Sequence, residues 1–312
     1  MSKYRIVFMG TADFSLPSLR ALHDNRYNIV GVITQPDRKS GRGRKIVPPP
    51  VKRMAQELGY RVFQPEKIRD EEWTIRLRNL KPDLFIVVAY GHILTQELLS
   101  VPLLGAINVH GSLLPKYRGP APVQWAIING EKYTGVTTIW MDSGVDTGDI
   151  LVARKIPIEP EDTSLTLHER LARLGAEVLI ETLEKLKAGT LTRTPQDHTK
   201  ATYAPLLKKE DGYINWNLRA SEIVNFVRGM TPWPGAFTLL SGKRLRVFRA
   251  EAILKHTAKP PGTVLGGSSK DLHVATGDGI LALKEVQLAS GKRLLIADFL
   301  RGHSVSPDTV LG

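Results

Sequence analysis

The first 110 residues alternate short apolar, β-branched runs with longer helical patterns, and this alternation limits the fold more than any other feature. Arg5 to Met9, Ile29 to Thr34, Leu84 to Ala89 and Ala106 to His110 read as buried strands, while Ser15 to Leu22, Val51 to Leu58 and Glu71 to Leu80 carry helical spacing between them. Neighbouring parallel strands need crossover connections, so the pattern predicts an α/β fold with a doubly wound parallel sheet and helices on both faces. A further amphipathic stretch from Leu165 to Leu186 ends at Gly189, and Thr190 to Ala204 is then polar and aperiodic around Pro195. Beyond Pro205 the texture changes. A helical pattern over Ser221 to Val227 precedes five strand-like segments: Ala236 to Leu240, Lys243 to Ala252, Thr263 to Leu265, Leu272 to Ala275 and Gly279 to Val286. Ser241-Gly242, Gly266-Gly267 and Asp278-Gly279 supply turns, and short strands at such spacing predict a small OB-like β-barrel. The expected division of the 312 residues is an α/β domain over 1–189, a linker over 190–205 and a barrel domain over 206–312.

Composition removes several function classes. The chain has no cysteine, which excludes a disulfide framework, thiolate-held zinc, iron–sulfur clusters and a thiol nucleophile. No apolar run approaches the ~18 residues of a membrane span, and Met1-Ser2-Lys3 leads straight into the first strand, so a cytoplasmic protein with no membrane association is expected. The first strand ends in Gly10-Thr11-Ala12-Asp13, without G-x-G-x-x-G, and no G-x-x-x-x-G-K-[ST] occurs, so neither a dinucleotide nor a nucleoside triphosphate cradle is written here.

The formal net charge of +12 is unevenly placed. Residues 206–312 hold 15 Lys and Arg against 9 Asp and Glu, and Arg38 to Arg53 holds seven basic residues with no acid. Without that short run, residues 1–205 are close to neutral. Two basic regions flanking a neutral body point to a polyanionic partner.

The chemistry concentrates between Gly105 and Asp149. In the strand Ala106 to His110, Asn108 and His110 are two apart and project on one side at the carboxyl end, where open α/β sheets bind ligands. Ser112 lacks the G-x-S-x-G elbow of a serine hydrolase. The loop Asp142-Ser143-Gly144-Val145-Asp146-Thr147-Gly148-Asp149 lacks calcium-loop spacing, so no metal is expected, and it gains meaning only if it faces His110.

Asn108-Val109-His110-Gly111-Ser112-Leu113-Leu114-Pro115, Arg118-Gly119-Pro120-Ala121-Pro122 and Met141 to Asp149 together resemble the catalytic region of the 10-formyltetrahydrofolate-dependent formyltransferases, most closely the branch that acts on methionyl-tRNA. The likeness extends over the whole chain, through Gly10 to Phe14, Thr34-Gln35-Pro36-Asp37, Gly41 to Lys45, Ala89-Tyr90-Gly91 and Pro232-Trp233-Pro234. A local departure is His92 and Thr95, where many relatives carry an apolar residue and a proline. The resemblance implies a Rossmann-like domain followed by an OB-like one, 10-formyltetrahydrofolate as formyl-donor co-substrate and initiator methionyl-tRNA as acceptor, in a monomer of bacterial type. It assigns Asn108 as oxyanion donor, His110 as electrophile and proton donor, and Asp146 as proton acceptor and orienter of His110. It places Ser112, Leu113, Leu114 and Pro115, with Tyr90, Gly91, His92, Ile93 and Leu94, at the folate, and Arg38, Lys39, Arg42, Arg44 and Lys45 at the tRNA acceptor end.

Two rivals remain at this level: a sibling formyl transfer to a small molecule or hydrolysis of the formyl-folate, and a nucleic-acid-binding module with a decayed catalytic domain. A small acceptor needs no basic loop. Arg42→Ala is therefore expected to weaken transfer to methionyl-tRNA strongly while sparing slow formyl-folate hydrolysis, and parallel assays of the two rates check this.

Overall fold

The computed structural model describes residues 4–40, 45–266 and 271–312, and it separates into two compact units. The first comprises Met1–Pro122, Tyr133–Ile156 and His168–Pro205; the second comprises Val123–Lys132, Pro157–Leu167 and Leu206–Gly312.

The strands of the first unit are β1 (Arg5–Gly10), β2 (Asn28–Ile33), β3 (Arg38–Ser40), β4 (Lys45–Val47), β5 (Val62–Phe63), β6 (Leu84–Val88), β7 (Gly105–His110), β8 (Tyr133–Trp140) and β9 (Ile150–Pro157). The early helices are α1 (Leu16–Asp24), α2 (Pro50–Glu57), α3 (Glu71–Asn79), α4 (Gln96–Leu99) and α5 (Pro122–Ile128), and α6 spans Ser164–Ala188. Seven strands form one sheet in the order β5-β2-β1-β6-β7-β8-β9, with β3 and β4 as a separate hairpin. β5, β2, β1, β6 and β7 run parallel, and β8 runs antiparallel to β7. The sequence pattern predicted the parallel part, since helices alternate with its strands. The reversal at β8 has no such signal, because the apolar run of a buried strand reads the same in either direction.

Ile6, Val7, Phe8 and Met9 are all fully buried, as expected of a central strand covered on both faces. One face packs Val7, Met9, Phe85 and Val87 against Leu77, Leu98 and Ile68. On the other side, α6 meets β7 and β8 at Gly175, where an added Cβ would lie 3.1 Å from Val109. The chain winds outward from β1 in both directions, to β2 and β5 on one side and to β6 and β7 on the other, so the crevice opens at the carboxyl ends of β1 and β6. There, Thr11 Oγ1 donates to the Tyr90 carbonyl at 2.8 Å, Gln35 Nε2 donates to the same oxygen at 3.1 Å, and Ser15 Oγ donates to the Val88 carbonyl at 2.6 Å.

The second unit holds α7 (Ala220–Met230), β10 (Phe237–Leu240), β11 (Lys243–Ile253), β12 (Leu272–Ala275), β13 (Ile280–Leu288), β14 (Leu294–Leu295) and α8 (Ile296–Gly302). Its sheet is antiparallel, in the order β10-β11-β13-β12 with β14 also on β13. Register shifts around Arg249 break the β11–β13 ladder, and such irregularities bend a strand and increase its twist. The result is a curled, OB-like sheet. Ser241 and Gly242 both have positive φ, 50° and 73°, the two-residue turn whose twist matches a hairpin. Thr263 to Leu265, read from sequence as a strand, makes only isolated bridges, Thr263 to Val310 and Val264 to Val274. Gly262 and Gly266, at φ 88° and 80°, interrupt the run on either side, and β14 is the fifth strand instead.

The segment 190–205, read from sequence as a linker, bonds within the first unit: Thr194 pairs with Ile150, and Arg118 with Tyr203. No helix of the described residues is long and apolar enough to cross a membrane. Phe85, fully buried in the main core, is the side chain whose loss should be felt most directly. Phe85→Ala is expected to cost about 3–5 kcal/mol of stability, read as a lowered urea midpoint.

Candidate active site

Alternation along β7 sends the side chains of Asn108 and His110 to the same face, and the loop after β8 folds over that face to bring Asp146 to both. Asn108 Nδ2 donates to Asp146 Oδ1 at 3.2 Å, and the same oxygen lies 3.5 Å from His110 Nδ1. The second carboxylate oxygen, Oδ2, accepts the backbone N–H of Gly119 at 2.8 Å. The imidazole and carboxylate are well enclosed, with side chains 7% and 13% exposed, so water screens their interaction poorly.

The histidine's proton can be placed from its partners. Its Nε2 lies 2.8 Å from the Tyr117 carbonyl, and a carbonyl only accepts, so Nε2 carries a hydrogen. The 3.5 Å between Nδ1 and the carboxylate is longer than an ordinary hydrogen bond. Nδ1 is the ring nitrogen that faces the side shared with Asp146 and Asn108.

Three segments hold this cluster. Asp146 sits at φ 55°, a left-handed conformation that costs a non-glycine residue free energy and persists only when its surroundings impose it. Gln196 imposes part of it: its Nε2 donates to the carbonyls of Asp146, at 2.9 Å, and Gly148, at 2.7 Å. The turn at Tyr117–Gly119 also has positive φ at both of these residues, 60° and 109°. It is fixed by segment 202–204, through Arg118 N to the Thr202 carbonyl at 2.8 Å and Ala204 N to the Arg118 carbonyl at 2.7 Å. The Arg118 side chain, 2% exposed, donates to Gln196 Oε1 from Nε at 3.2 Å and from Nη2 at 2.7 Å. Gln196, Gly119, Tyr117 and Arg118 were given no role by sequence reasoning. Two of them act through backbone atoms, which no residue pattern reveals, and Gln196 lies in a stretch without periodicity.

The other expected site residues are placed as follows. Ser112 is fully buried, and its hydroxyl donates to the Lys116 carbonyl at 2.6 Å. Leu113 packs against Gly135, and the backbone N–H of the buried Leu114 donates to Thr137 Oγ1 at 3.2 Å. Pro115 follows in the same turn, half-buried. Tyr90 and Leu94 are core residues, Gly91 turns the chain at φ 84°, and Ile93 is exposed. Tyr90 Oη and His92 Nε2 are buried without a hydrogen-bond partner, and the two rings meet edge to face at 5.4 Å. Burial, aided by the charges of Arg38 and Arg69, holds the His92 imidazole below its usual pKa. Burial also pushes the Tyr90 phenol well above its ordinary range.

Arg38 and Lys45 are exposed on the arms of the β3–β4 hairpin, Lys39 lies on β3, and Arg42 and Arg44 lie outside the described residues. Asp37, just before the hairpin, accepts Lys52 Nζ at 2.8 Å and Gln64 Nε2 at 2.7 Å, and these bonds hold its carboxyl below the ordinary carboxylate value. In the second unit, the Arg244 guanidinium lies 3.6 Å over the Phe237 ring, and Arg246 and Arg293 lie 4.9 Å and 4.3 Å from Phe248. Arg244 Nε and Arg246 Nε are buried without partners, and burial with the neighbouring arginines lowers the Arg246 pKa. Among the described residues, no group of three or more His, Cys, Asp or Glu side chains is placed to hold a metal ion.

Residues 4–183 match the formyl transferase family and residues 206–304 match the formyl transferase C-terminal domain. A methionyl-tRNA formyltransferase of Geobacter sulfurreducens is 49% identical over 312 residues, covering all of this chain and 98% of that protein. The chain belongs to the methionyl-tRNA formyltransferase family. The relative from Acetivibrio thermocellus is 48% identical over 99% of both chains. Solved structures extend the fold to lower identity. An N-formyltransferase from Helicobacter canadensis, in complex with folinic acid and dTDP-3-aminofucose, superposes with a TM-score of 0.69 at 18% identity over 93% of this chain and all of its own. HypX from Aquifex aeolicus, in complex with tetrahydrofolic acid, superposes at 0.60 and 20% identity over 96% of this chain, which spans about half of HypX, 47%. The chain is thus a formyl-transferring enzyme built from a Rossmann-like sheet and an OB-like sheet.

Gly119 meets two demands at once, positive φ and an approach to segment 202–204 in which an added Cβ would lie 2.9 Å from the Ala204 carbonyl. Gly119→Ala is expected to cost about 1–3 kcal/mol, read as a lowered thermal midpoint.

Proposed function

We propose that this chain transfers the formyl group of 10-formyltetrahydrofolate to the α-amino group of methionyl initiator tRNA, supplying formylated initiator for translation. The reading rests on the convergence of Asn108, His110 and Asp146 at the end of β7 in a chain 49% identical, end to end, to a methionyl-tRNA formyltransferase. It takes the enzyme to be a cytoplasmic monomer with residues 206–312 as its tRNA-binding domain.

The folate supplies an electrophilic formyl carbon and, on departure, a nitrogen that needs a proton. Tyr90 Oη and His92 Nε2, buried without partners beside the crevice, fit a heterocycle edged with donors and acceptors. Tyr90 to Leu94 form the wall of that site, and the Ser112–Pro115 turn supports it. An amide nitrogen carries two hydrogens; Asn108 commits one to Asp146 and offers the other to the formyl oxygen as it gains charge. A placed donor of this kind is worth about 3–4 kcal/mol of barrier. His110 keeps its Nε2 hydrogen on Tyr117, so a proton taken up at Nδ1 makes the ring cationic beside the same oxygen and is available to the departing nitrogen. Asp146 accepts the proton that the attacking amine gives up, directly or through water.

Arg38, Lys39, Arg42, Arg44 and Lys45 meet the acceptor end of the tRNA. Arg244 and Arg246 lie on the barrel side with buried, unpartnered Nε atoms, while Arg293 is paired with Glu285, and phosphate there would meet the first two. Lys and Arg contacts to phosphate make such binding fall steeply with salt.

Incubation with 10-formyltetrahydrofolate and charged initiator tRNA, beside elongator methionyl-tRNA and amino-sugar nucleotides, tests the reading. Formylmethionyl ester is expected with the initiator alone, and preferential formylation of a sugar would refute it. Asp146→Asn is expected to lower kcat by about 10²–10⁴-fold, the usual worth of a positioned acid or base, with tRNA affinity little changed.

A further inference from the structure

Gln196 is 6% exposed while Pro195 and Asp197 on either side are exposed, so a polar side chain is buried from an otherwise solvated stretch. Every polar end of it is used. Nε2 donates to the carbonyls of Asp146 and Gly148, at 2.9 and 2.7 Å, and Oε1 accepts two guanidinium hydrogens of Arg118. A primary amide has two N–H donors and one strong acceptor, and this site consumes them all. Arg118 in turn donates from Nη2 to His198 Nδ1 at 3.0 Å, so its buried charge is met by two neutral acceptors. The backbone of Arg118 belongs to the turn that carries both the Tyr117 carbonyl, which holds His110 Nε2, and the Gly119 N–H, which holds Asp146 Oδ2.

The amide of Gln196 therefore joins the two loops that flank the imidazole. On one side it fixes the left-handed backbone of Asp146, and on the other it fixes, through Arg118, the turn that orients both His110 and the Asp146 carboxylate. We infer that Gln196 is a positioning residue for the formyl transfer, acting through Asp146 and His110 with Arg118 as its partner. The inference rests on the catalytic reading of Asp146 given above. Nothing in it touches substrate: Gln196 sets where the carboxylate stands, and a displacement of a carboxylate by about 1 Å can cost on the order of 10²-fold in rate.

Gln196→Met keeps the length of the side chain and removes every hydrogen bond; Gln196→Glu keeps the acceptor for Arg118 but turns a carboxylate toward two carbonyls. Both are to be assayed with 10-formyltetrahydrofolate and charged initiator tRNA, alongside thermal unfolding and alongside Asp146→Asn and Asp146→Asn/Gln196→Met. The expected result is a roughly 10–100-fold fall in kcat in both single variants with KM for each substrate within about twofold, in proteins that still unfold cooperatively but at a midpoint lowered by the buried polar groups left unpaired. In single turnover with excess enzyme, Gln196→Met should slow the residual rate of Asp146→Asn little, because residues acting as a unit are not additive. Normal turnover in Gln196→Met, a loss carried by KM, or an equal extra loss on top of Asp146→Asn each overturns the inference. Full activity in Asp146→Asn would overturn the catalytic reading itself, which separates the two failures. Should Gln196→Met fold poorly, Gln196→Glu carries the same comparison.

Discussion

The site depends on the division of one carboxylate between three parts of the chain. Asp146 takes a side-chain amide from β7 on one oxygen and a backbone N–H from the Tyr117–Gly119 turn on the other, and it faces the imidazole from the same side. Each of those groups is fixed by something larger. Asn108 and His110 are set by the ladder of β7 with β6 and β8, Gly119 by segment 202–204, and Asp146 by its own constrained backbone. A carboxylate that accepts hydrogen bonds in a poorly hydrated place is held where its partners put it, so the accuracy of the site is inherited from the sheet.

The topology explains why the constellation lies where it does. Winding outward from β1 leaves a crevice at the carboxyl ends of β1 and β6, and β7 ends beside it. Because β8 runs against β7, the connection from β8 to β9 can fold back over the face that Asn108 and His110 share. The basic hairpin is attached at the same end, and its base is tied by Asp37, Lys52 and Gln64.

Much of this was legible in the sequence for plain physical reasons. Buried parallel strands are continuous apolar runs, and β1, β2, β6 and β7 lie within a residue or two of where those runs predicted them. The period of two along β7 was enough to put Asn108 and His110 on one side, and the Gly- and Asp-rich sequence after β8 was enough to mark a loop. What sequence could not show was contact between distant polar segments. Gln196 sits in a largely polar stretch with no periodicity, and its burial follows only from the shape of two loops that approach it. Tyr117 and Gly119 act through a carbonyl and an N–H that every residue possesses. The bond from the buried Ser112 hydroxyl to the Lys116 carbonyl is of the same kind, a local contact to a backbone atom that no residue pattern marks.

The distance between His110 Nδ1 and Asp146 has a consequence of its own. A span of 3.5 Å exceeds the reach of a proton jump, and it is also too narrow for a water to sit in line between the two, which needs roughly twice an ordinary hydrogen-bond length. Each is anchored on its far side by backbone of the same short turn, the imidazole on the Tyr117 carbonyl and the carboxylate on the Gly119 N–H, so the width of the gap between them is set by the shape of three residues.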